Sequence, residues 1–192
     1  MPLTKVVIVP GNGEGCASAN FYPTLASSLR AAGFPVELRE MPDPGTARES
    51  IWLPFITDVL HADENTLLVG HSSGAVAGLR LAENVRLGAL VVVSVTPTDL
   101  GDANERASGY YNRDWQWARI RANVPTVAMF ASLDDPFIPI ALQRTARQGL
   151  QDAAAPEGHT FAYHELEAKS HFFAAQQKEV TECCLQILAG GK

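Results

Sequence analysis

Short runs typical of β-strands, most of them continuously apolar, recur along this chain with helix-length segments between them. The six runs cover residues 6–9, 36–39, 66–69, 89–94, 124–131 and 160–165. Segments with helical patterns cover residues 21–32, 47–60, 73–83, 114–122, 139–151 and 172–188. Because strands that are apolar on both sides must be covered on both sides, the pattern predicts a mostly parallel six-stranded sheet flanked by helices on both faces. Right-handed connections then bring the carboxyl ends of the strands to one edge, where ligands bind in open α/β sheets.

Composition favours one globular domain spanning residues 1–192. Apolar residues make up 46% of the chain and charged residues 19%, as in ordinary soluble proteins. The net charge of −6 and the scattering of the 15 basic residues argue against a nucleic-acid partner, which needs clustered Lys and Arg. No apolar stretch has the roughly 18 residues of a membrane helix, and no secretory signal is recognised. Three cysteines, two of them adjacent at Cys183 and Cys184, predict reduced thiols and a cytoplasmic location.

Two local signals concern the second helix. Thr46 precedes Glu49 by three residues, which is the spacing of a capping box, so Thr46 is predicted to cap this helix. Pro54 lies inside the helical pattern and should end or kink the helix, because proline cannot donate a backbone hydrogen bond.

A Gly70-x-Ser72-x-Gly74 pattern stands between the third predicted strand and the helix that follows it. This context is the one required of a nucleophile elbow, in which a strained turn exposes the serine hydroxyl above the sheet. Small flanking residues let the strand and the helix approach each other, and the N–H of Ser73 faces an oxyanion at the helix start. The alternative is an ordinary turn whose serine only caps the helix.

A serine hydroxyl is a weak nucleophile unless a base takes its proton, so the elbow predicts an acid and then a histidine later in the chain. The fifth predicted strand leads into Asp134-Asp135-Pro136. In hydrolases with this motif the acid tends to precede a proline directly, with another proline four positions after the acid. Asp135 fits that spacing through Pro136 and Pro139, whereas Asp134 is better suited to a turn.

Five histidines are candidates for the base: His61, His71, His159, His164 and His171. His171 follows the last predicted strand directly, and a loop there can reach a serine at the top of the sheet. His164 is the alternative if that strand ends earlier. His71 is too close to Ser72 in sequence to act as its base and is expected to pack beside the loop.

The loop after the first strand, Pro10-Gly11-Asn12-Gly13-Glu14-Gly15, is predicted to supply the second oxyanion donor. Its glycines let the backbone come close to a ligand. The N–H of Asn12 is preferred and that of Gly13 is the alternative. The glycine spacing of a dinucleotide-binding loop is absent, and no Walker lysine follows, so no cofactor is expected.

Several stretches resemble the serine hydrolases of the retinoblastoma-binding protein nine type, a family of small α/β-hydrolases. They lie at residues 9–13, 41–44, 46–55, 70–75, 99–102, 104–110, 115–117 and 134–137, and so extend over most of the chain. The resemblance implies a compact α/β-hydrolase with sheet order 2-1-3-4-5-6, no cofactor or metal, and a triad of Ser72, Asp135 and His171. It suggests activity on small esters or on amides of hydrophobic amino acids.

Four aromatic residues, Tyr110, Trp115, Trp117 and Phe137, are candidates for lining a substrate pocket. Trp52 is assigned to the core instead. The main alternative to a hydrolase is a hydrolase-fold binding or scaffold protein with little catalysis, against which the complete triad argues.

The family's namesake carries a Leu-x-Cys-x-Glu segment proposed to bind retinoblastoma-type proteins. The corresponding residues are Leu60, Ala62 and Glu64, so the cysteine is missing and such a partner is not expected. The stretch Lys169-Ser170-His171 also departs from the family, which has a glycine before its histidine.

Overall fold

A computed structural model describes residues 2–13 and 15–190 of the chain. Its sheet contains six parallel strands in the order β2-β1-β3-β4-β5-β6, which confirms the predicted fold class and strand order. The strands are β1 (Lys5–Val9), β2 (Val36–Leu38), β3 (Thr66–His71), β4 (Ala89–Val93), β5 (Thr126–Ser132) and β6 (Thr160–Leu166).

Seven α-helices are present among the described residues. They are α1 (Tyr22–Ala31), α2 (Glu49–Pro54), α3 (Ser73–Ala82), α4 (Ala103–Ser108), α5 (Trp117–Asn123), α6 (Ile140–Asp152) and α7 (Lys178–Gly190). A short 3₁₀ turn covers Cys16–Ser18, and a π-helical turn covers Phe55–Val59. None of the described helices combines the length and the apolar character that a membrane crossing requires.

The sheet is covered by a separate apolar core on each face, because successive side chains of a strand point to opposite sides. In β1, Val7 belongs to the core that contains Trp52, and Val6 belongs to the core that contains Leu25 and Leu188. The first core lies under α2 and α3, and the second lies under α1 and α7. The layers therefore leave the carboxyl edge of the central strands free for a site.

The second helix is interrupted as predicted: α2 ends at Pro54, and the chain continues as a π-helical turn. The predicted cap at Thr46 is wrong, since the helix starts at Glu49 after Arg48. An Asp43 carboxylate oxygen accepts the Arg48 N–H at 3.1 Å, so Asp43 rather than Thr46 provides the polar partner at this helix start.

The last helix begins six residues later than predicted, at Lys178 instead of residue 172. Ala168, Ser170 and Phe172 all adopt positive φ angles, between 51° and 56°, which no helix can contain. Residues 167–177 therefore form a loop, and this loop carries His171 to the carboxyl edge of the sheet. Helix α4, which lies between β4 and α5, was not predicted.

Candidate active site

The turn between β3 and α3 forces Ser72 into a strained conformation, with φ 53° and ψ −122°. Such a conformation costs on the order of 1–3 kcal/mol and persists only where the surroundings impose it. A Cβ at Gly70 would lie 2.3 Å from the Gly74 carbonyl oxygen, and a Cβ at Gly74 would lie 2.2 Å from the Val9 carbonyl oxygen. Both flanking glycines are therefore required by close backbone approach, and the serine is half-buried at the end of β3.

His171 and Asp135 form a hydrogen-bonded pair beside this turn. The distance from His171 Nδ1 to Asp135 Oδ2 is 2.8 Å, and the Asp135 side chain is fully buried. Its other oxygen, Oδ1, accepts the N–H groups of Phe137 and Ile138, each at 3.0 Å. Burial would raise the pKa of Asp135, but the hydrogen bond and charge interaction with His171, together with these N–H groups, outweigh burial and lower the pKa.

An ionised Asp135 only accepts hydrogen bonds, so the Nδ1 of His171 carries the proton and Nε2 keeps its lone pair. The His171 imidazole packs edge-on against two aromatic rings, with centroids 5.2 Å from Phe137 and 5.3 Å from Phe173. Carboxylate and rings together fix the orientation of a base whose free nitrogen can accept a proton.

Ser72 and His171 line one cavity with a volume of about 490 Å³. Among residues 2–13 and 15–190, no hydrogen bond joins the Ser72 hydroxyl to His171. Catalytic hydrogen bonds are often long before substrate binds and shorten in the complex. The structure thus brings the three predicted triad residues to one site, with a hydrogen bond between His171 and Asp135 and none between Ser72 and His171 among the described residues.

The competing candidates have other roles. Asp134 Oδ1 accepts the Ser132 hydroxyl at 2.6 Å and the Ser170 N–H at 2.9 Å, so this carboxylate holds the loop of the base against the end of β5. His164 stacks on Phe130 in the sheet, with ring centroids 4.5 Å apart.

Two further histidines, His61 and His159, lie outside the cavity. His159 contacts the Arg121 carbonyl through Nδ1 at 2.8 Å, and His61 lies exposed where the chain leaves the π-helical turn. Neither residue lines the cavity that contains Ser72.

The loop after β1 lies directly against Ser72, since a Cβ at Gly11 would be 3.2 Å from the Ser72 Cβ. The Gly13 N–H is already used, because it donates to the Pro44 carbonyl at 2.7 Å. Among the described residues, no hydrogen bond uses the N–H of Asn12 or of Ser73. This pair of amides, rather than Gly13, is therefore available to an oxyanion.

The cavity is bordered by apolar side chains and by two carboxylates. Phe137 and Phe173 lie at its mouth and are 58% and 47% exposed, with ring centroids 5.8 Å apart. Leu100 and Tyr111 also line it, as do the carboxylates Asp102 and Glu105. No lysine or arginine among the described residues lines this cavity, so its charge is negative apart from the histidines.

Of the four aromatic residues predicted to line the pocket, the structure places only Phe137 there. Tyr110 is fully buried in the core, and Trp117 packs over Gly149 of α6. Trp115 stacks on Trp117, with ring centroids 5.0 Å apart, away from the cavity.

Trp115 covers a buried cation instead. The guanidinium carbon of Arg80 lies 3.7 Å from the centroid of the Trp115 ring. The guanidinium donates to the carbonyls of Tyr110, Arg113 and Asp114 and to the carboxylate of Glu83. Helix α3 therefore holds the backbone of the cavity wall by a fully buried Arg80.

Sequence reasoning missed the side chain that contacts His71. The Tyr22 hydroxyl lies 2.5 Å from His71 Nδ1 and accepts the Gly11 N–H at 3.1 Å, and His71 Nε2 lies 2.9 Å from the His171 carbonyl oxygen. A tyrosine at the start of a helix carries no motif, so the sequence offered no signal for this contact.

The segment compared with a retinoblastoma-binding motif is folded into the core at its first two positions. Leu60 is 1% exposed and Ala62 is 6% exposed, whereas Glu64 is exposed. No group of three or more His, Cys, Asp or Glu among the described residues is arranged to hold a metal ion.

Comparisons with known proteins identify the family of this chain. The family model described as serine hydrolase matches residues 6–167. Serine hydrolase RBBP9 from Rattus norvegicus is 54% identical over 138 residues, which cover 71% of this chain and 74% of that protein. Putative hydrolase YdeN from Bacillus subtilis (strain 168) is 29% identical over 164 residues, which cover 81% of this chain and 83% of that protein.

Comparison with solved structures gives a similar fold for one of these relatives. The crystal structure of the ydeN gene product from B. subtilis superposes with a TM-score of 0.82 at 24% identity, and the match covers 97% of this chain and all of that one. The family model spans most of the chain and includes Ser72 and Asp135, while His171 lies just beyond its last matched residue. On the breadth of these matches, the chain belongs to the serine hydrolase family.

Proposed function

We propose that this protein hydrolyses small esters or amides through an acyl-enzyme, with Ser72 as nucleophile, His171 as base and Asp135 as the residue that orients the base. The observation that carries the proposal is the 2.8 Å pair of His171 and Asp135 at the edge of a cavity that also exposes the strained Ser72. No cofactor takes part in this chemistry.

The steps follow from the arrangement of donors and acceptors. His171 Nε2 takes the Ser72 Oγ proton while Oγ bonds to the substrate carbonyl carbon, and the oxyanion binds the N–H groups of Asn12 and Ser73. Collapse of the tetrahedral intermediate then breaks the bond to the leaving alcohol or amine, which receives the proton from Nε2. Water then attacks the acyl-enzyme, gives a proton to Nε2 and releases the acid, and the proton returns to Ser72 Oγ.

Asp135 stabilises the imidazolium that forms in each half-reaction. Its lowered pKa keeps it ionised when His171 becomes charged, so the pair needs no second proton transfer. The buried side chain excludes water from the hydrogen bond, which strengthens the electrostatic interaction.

The cavity favours aminoacyl substrates among the small esters and amides. Asp102 and Glu105 offer negative charge to an α-ammonium group, and Phe137 with Phe173 offers apolar surface to a side chain. We expect Glu105→Gln to raise KM for an aminoacyl ester by about tenfold, the loss of one charge-assisted hydrogen bond, and to leave KM for its N-acetylated form within about twofold. Equal effects on both esters would contradict recognition of the ammonium.

The central experiment is labelling with a fluorophosphonate probe together with turnover of a short p-nitrophenyl ester. Ser72→Ala should abolish both, because it removes the attacking oxygen. Ser73→Ala is the matched control: it keeps the backbone N–H and should still be labelled. Labelling that persists in Ser72→Ala would refute the assignment of the nucleophile.

The alternative function, a hydrolase fold kept as a binding or scaffold protein, predicts a different result. A folded wild-type protein that ignores the probe and a panel of acyl and aminoacyl esters would favour it. The intact pair of His171 and Asp135 supports the enzyme instead.

Three free thiols, at Cys16, Cys183 and Cys184, support a reducing compartment such as the cytoplasm.

A further inference from the structure

Three loops of the site are joined beneath the cavity by one chain of hydrogen bonds. It runs from the Gly11 N–H to the Tyr22 hydroxyl (3.1 Å), from that hydroxyl to His71 Nδ1 (2.5 Å), and from His71 Nε2 to the His171 carbonyl oxygen (2.9 Å). Both side chains are buried, Tyr22 completely and His71 to 2% exposure. This hydrogen-bond chain ends at the loop after β1 on one side and at the backbone of His171 on the other.

The groups at the two ends of this hydrogen-bond chain determine which atom donates and which accepts in every bond. A backbone carbonyl only accepts, so His71 Nε2 must carry a hydrogen, and the neutral ring then presents a lone pair at Nδ1. The Tyr22 hydroxyl donates to that lone pair, and its oxygen accepts from Gly11, whose N–H only donates. A single tautomer of His71 satisfies all members of the chain.

The surroundings of His71 disfavour its charged form. Burial and the neighbouring His171 ring lower the pKa of His71 to about 3, and the hydrogen bond to the His171 carbonyl and the charge of Asp135 offset this only in part. The Tyr22 ring and the Phe21 ring, with centroids 5.7 Å and 5.5 Å from that of His71, complete the enclosure. His71 therefore stays neutral and does not compete with His171 for a proton.

We infer that Tyr22 and His71 are positioning residues that hold the oxyanion loop and the backbone of His171 in register with the nucleophile. The inference rests on the proposed function for its catalytic consequence. Gly11 precedes Asn12, the proposed oxyanion donor, and His71 precedes Ser72. One hydrogen-bond chain thus contacts the residue before the proposed oxyanion donor, the residue before the proposed nucleophile, and the backbone of the proposed base.

The first test is Tyr22→Phe, which keeps the ring and removes only the hydroxyl. It leaves the Gly11 N–H and His71 Nδ1 unpaired in a buried place, and we expect kcat for the p-nitrophenyl ester to fall about 10- to 100-fold with KM within about twofold. Tyr163→Phe is the matched control, since its hydroxyl bonds Glu165 on β6 away from the cavity, and it should match wild type. A Tyr22→Phe enzyme with wild-type kcat would overturn the inference.

The second test separates positioning from packing. His71→Gln can still donate to the His171 carbonyl, whereas His71→Leu fills similar space without a donor. We expect the glutamine variant to keep at least about tenfold more kcat than the leucine variant. Equal losses in two folded variants would show that only volume matters and would overturn the inference.

A third measurement does not depend on turnover. Imidazole ¹⁵N chemical shifts of the wild-type protein should show His71 as the Nε2–H tautomer with no titration between about pH 5 and 8, and Tyr22→Phe should shift the His171 ring signals. A wild-type protein without esterase activity but with these signals would refute the proposed function and leave the hydrogen-bond chain standing. A His71 that titrates in this range would refute the chain itself.

Discussion

A buried neutral histidine makes the protein sensitive to mild acid. His71 has a pKa of about 3 in the folded protein, against its usual 6.5 in an unfolded chain. Between these values the unfolded state binds more protons, so the free energy of unfolding falls as the pH falls below 6.5. Lowering the pH from about 7.5 to about 5 should cost the wild-type protein about 2 kcal/mol from this residue alone.

The assay is urea unfolding at both pH values, followed by the fluorescence of the three tryptophans. His71→Gln cannot gain a proton, so its loss of stability between the two pH values should be smaller than that of wild type by about 2 kcal/mol. His61→Gln is the matched control, because it makes the same substitution at an exposed position. Equal pH dependence in His71→Gln and wild type would refute the reasoning.

Two further predictions concern residues next to Ser72 and His171. Asp135→Asn should lower kcat on the order of 10⁴-fold, because it removes the acceptor that fixes the His171 tautomer, whereas Asp134→Asn should lose less than about tenfold, both measured with the p-nitrophenyl ester. Similar losses in both would contradict the assignment of the acid. Gly74→Ala places a Cβ 2.2 Å from the Val9 carbonyl oxygen and should destabilise the protein by about 3 kcal/mol or prevent folding. Gly45→Ala meets nothing within 4 Å and should stay within about 0.5 kcal/mol of wild type in urea unfolding, so a stable Gly74→Ala protein would contradict the close approach.

The sheet was predictable because its central strands are apolar on both faces, as in Val6–Val9 and Ala89–Val93. Such runs fit few structures other than buried parallel strands. The order of the strands came from the resemblance to a family and not from the runs themselves. The start of α7 was not predictable, because Phe172 and Phe173 continue an apolar pattern although the backbone at Phe172 is left-handed.

The placement of Ser72, Asp135 and His171 near one another was predictable because each follows a strand, and strand ends share one edge of a parallel sheet. The cavity wall was not, since a pattern of tryptophans does not show which surface they cover. Trp115 covers Arg80, a charged residue in a helix that is otherwise apolar apart from its first residue, Ser73. A cation in such a helix, with Glu83 three positions later, is a signal that it has buried partners.

The clamp at Arg80 has a consequence for how this scaffold can change. Three carbonyls of the 110–114 backbone accept hydrogen bonds from one guanidinium that solvent cannot reach, and the carboxylate of Glu83 balances its charge. A graft or insertion that reroutes this stretch would leave buried guanidinium N–H groups without their carbonyl acceptors, although the ion pair with Glu83 would remain. New substrate preferences are therefore expected to arise by exchanging side chains such as Leu100 and Tyr111 on an unaltered main-chain path.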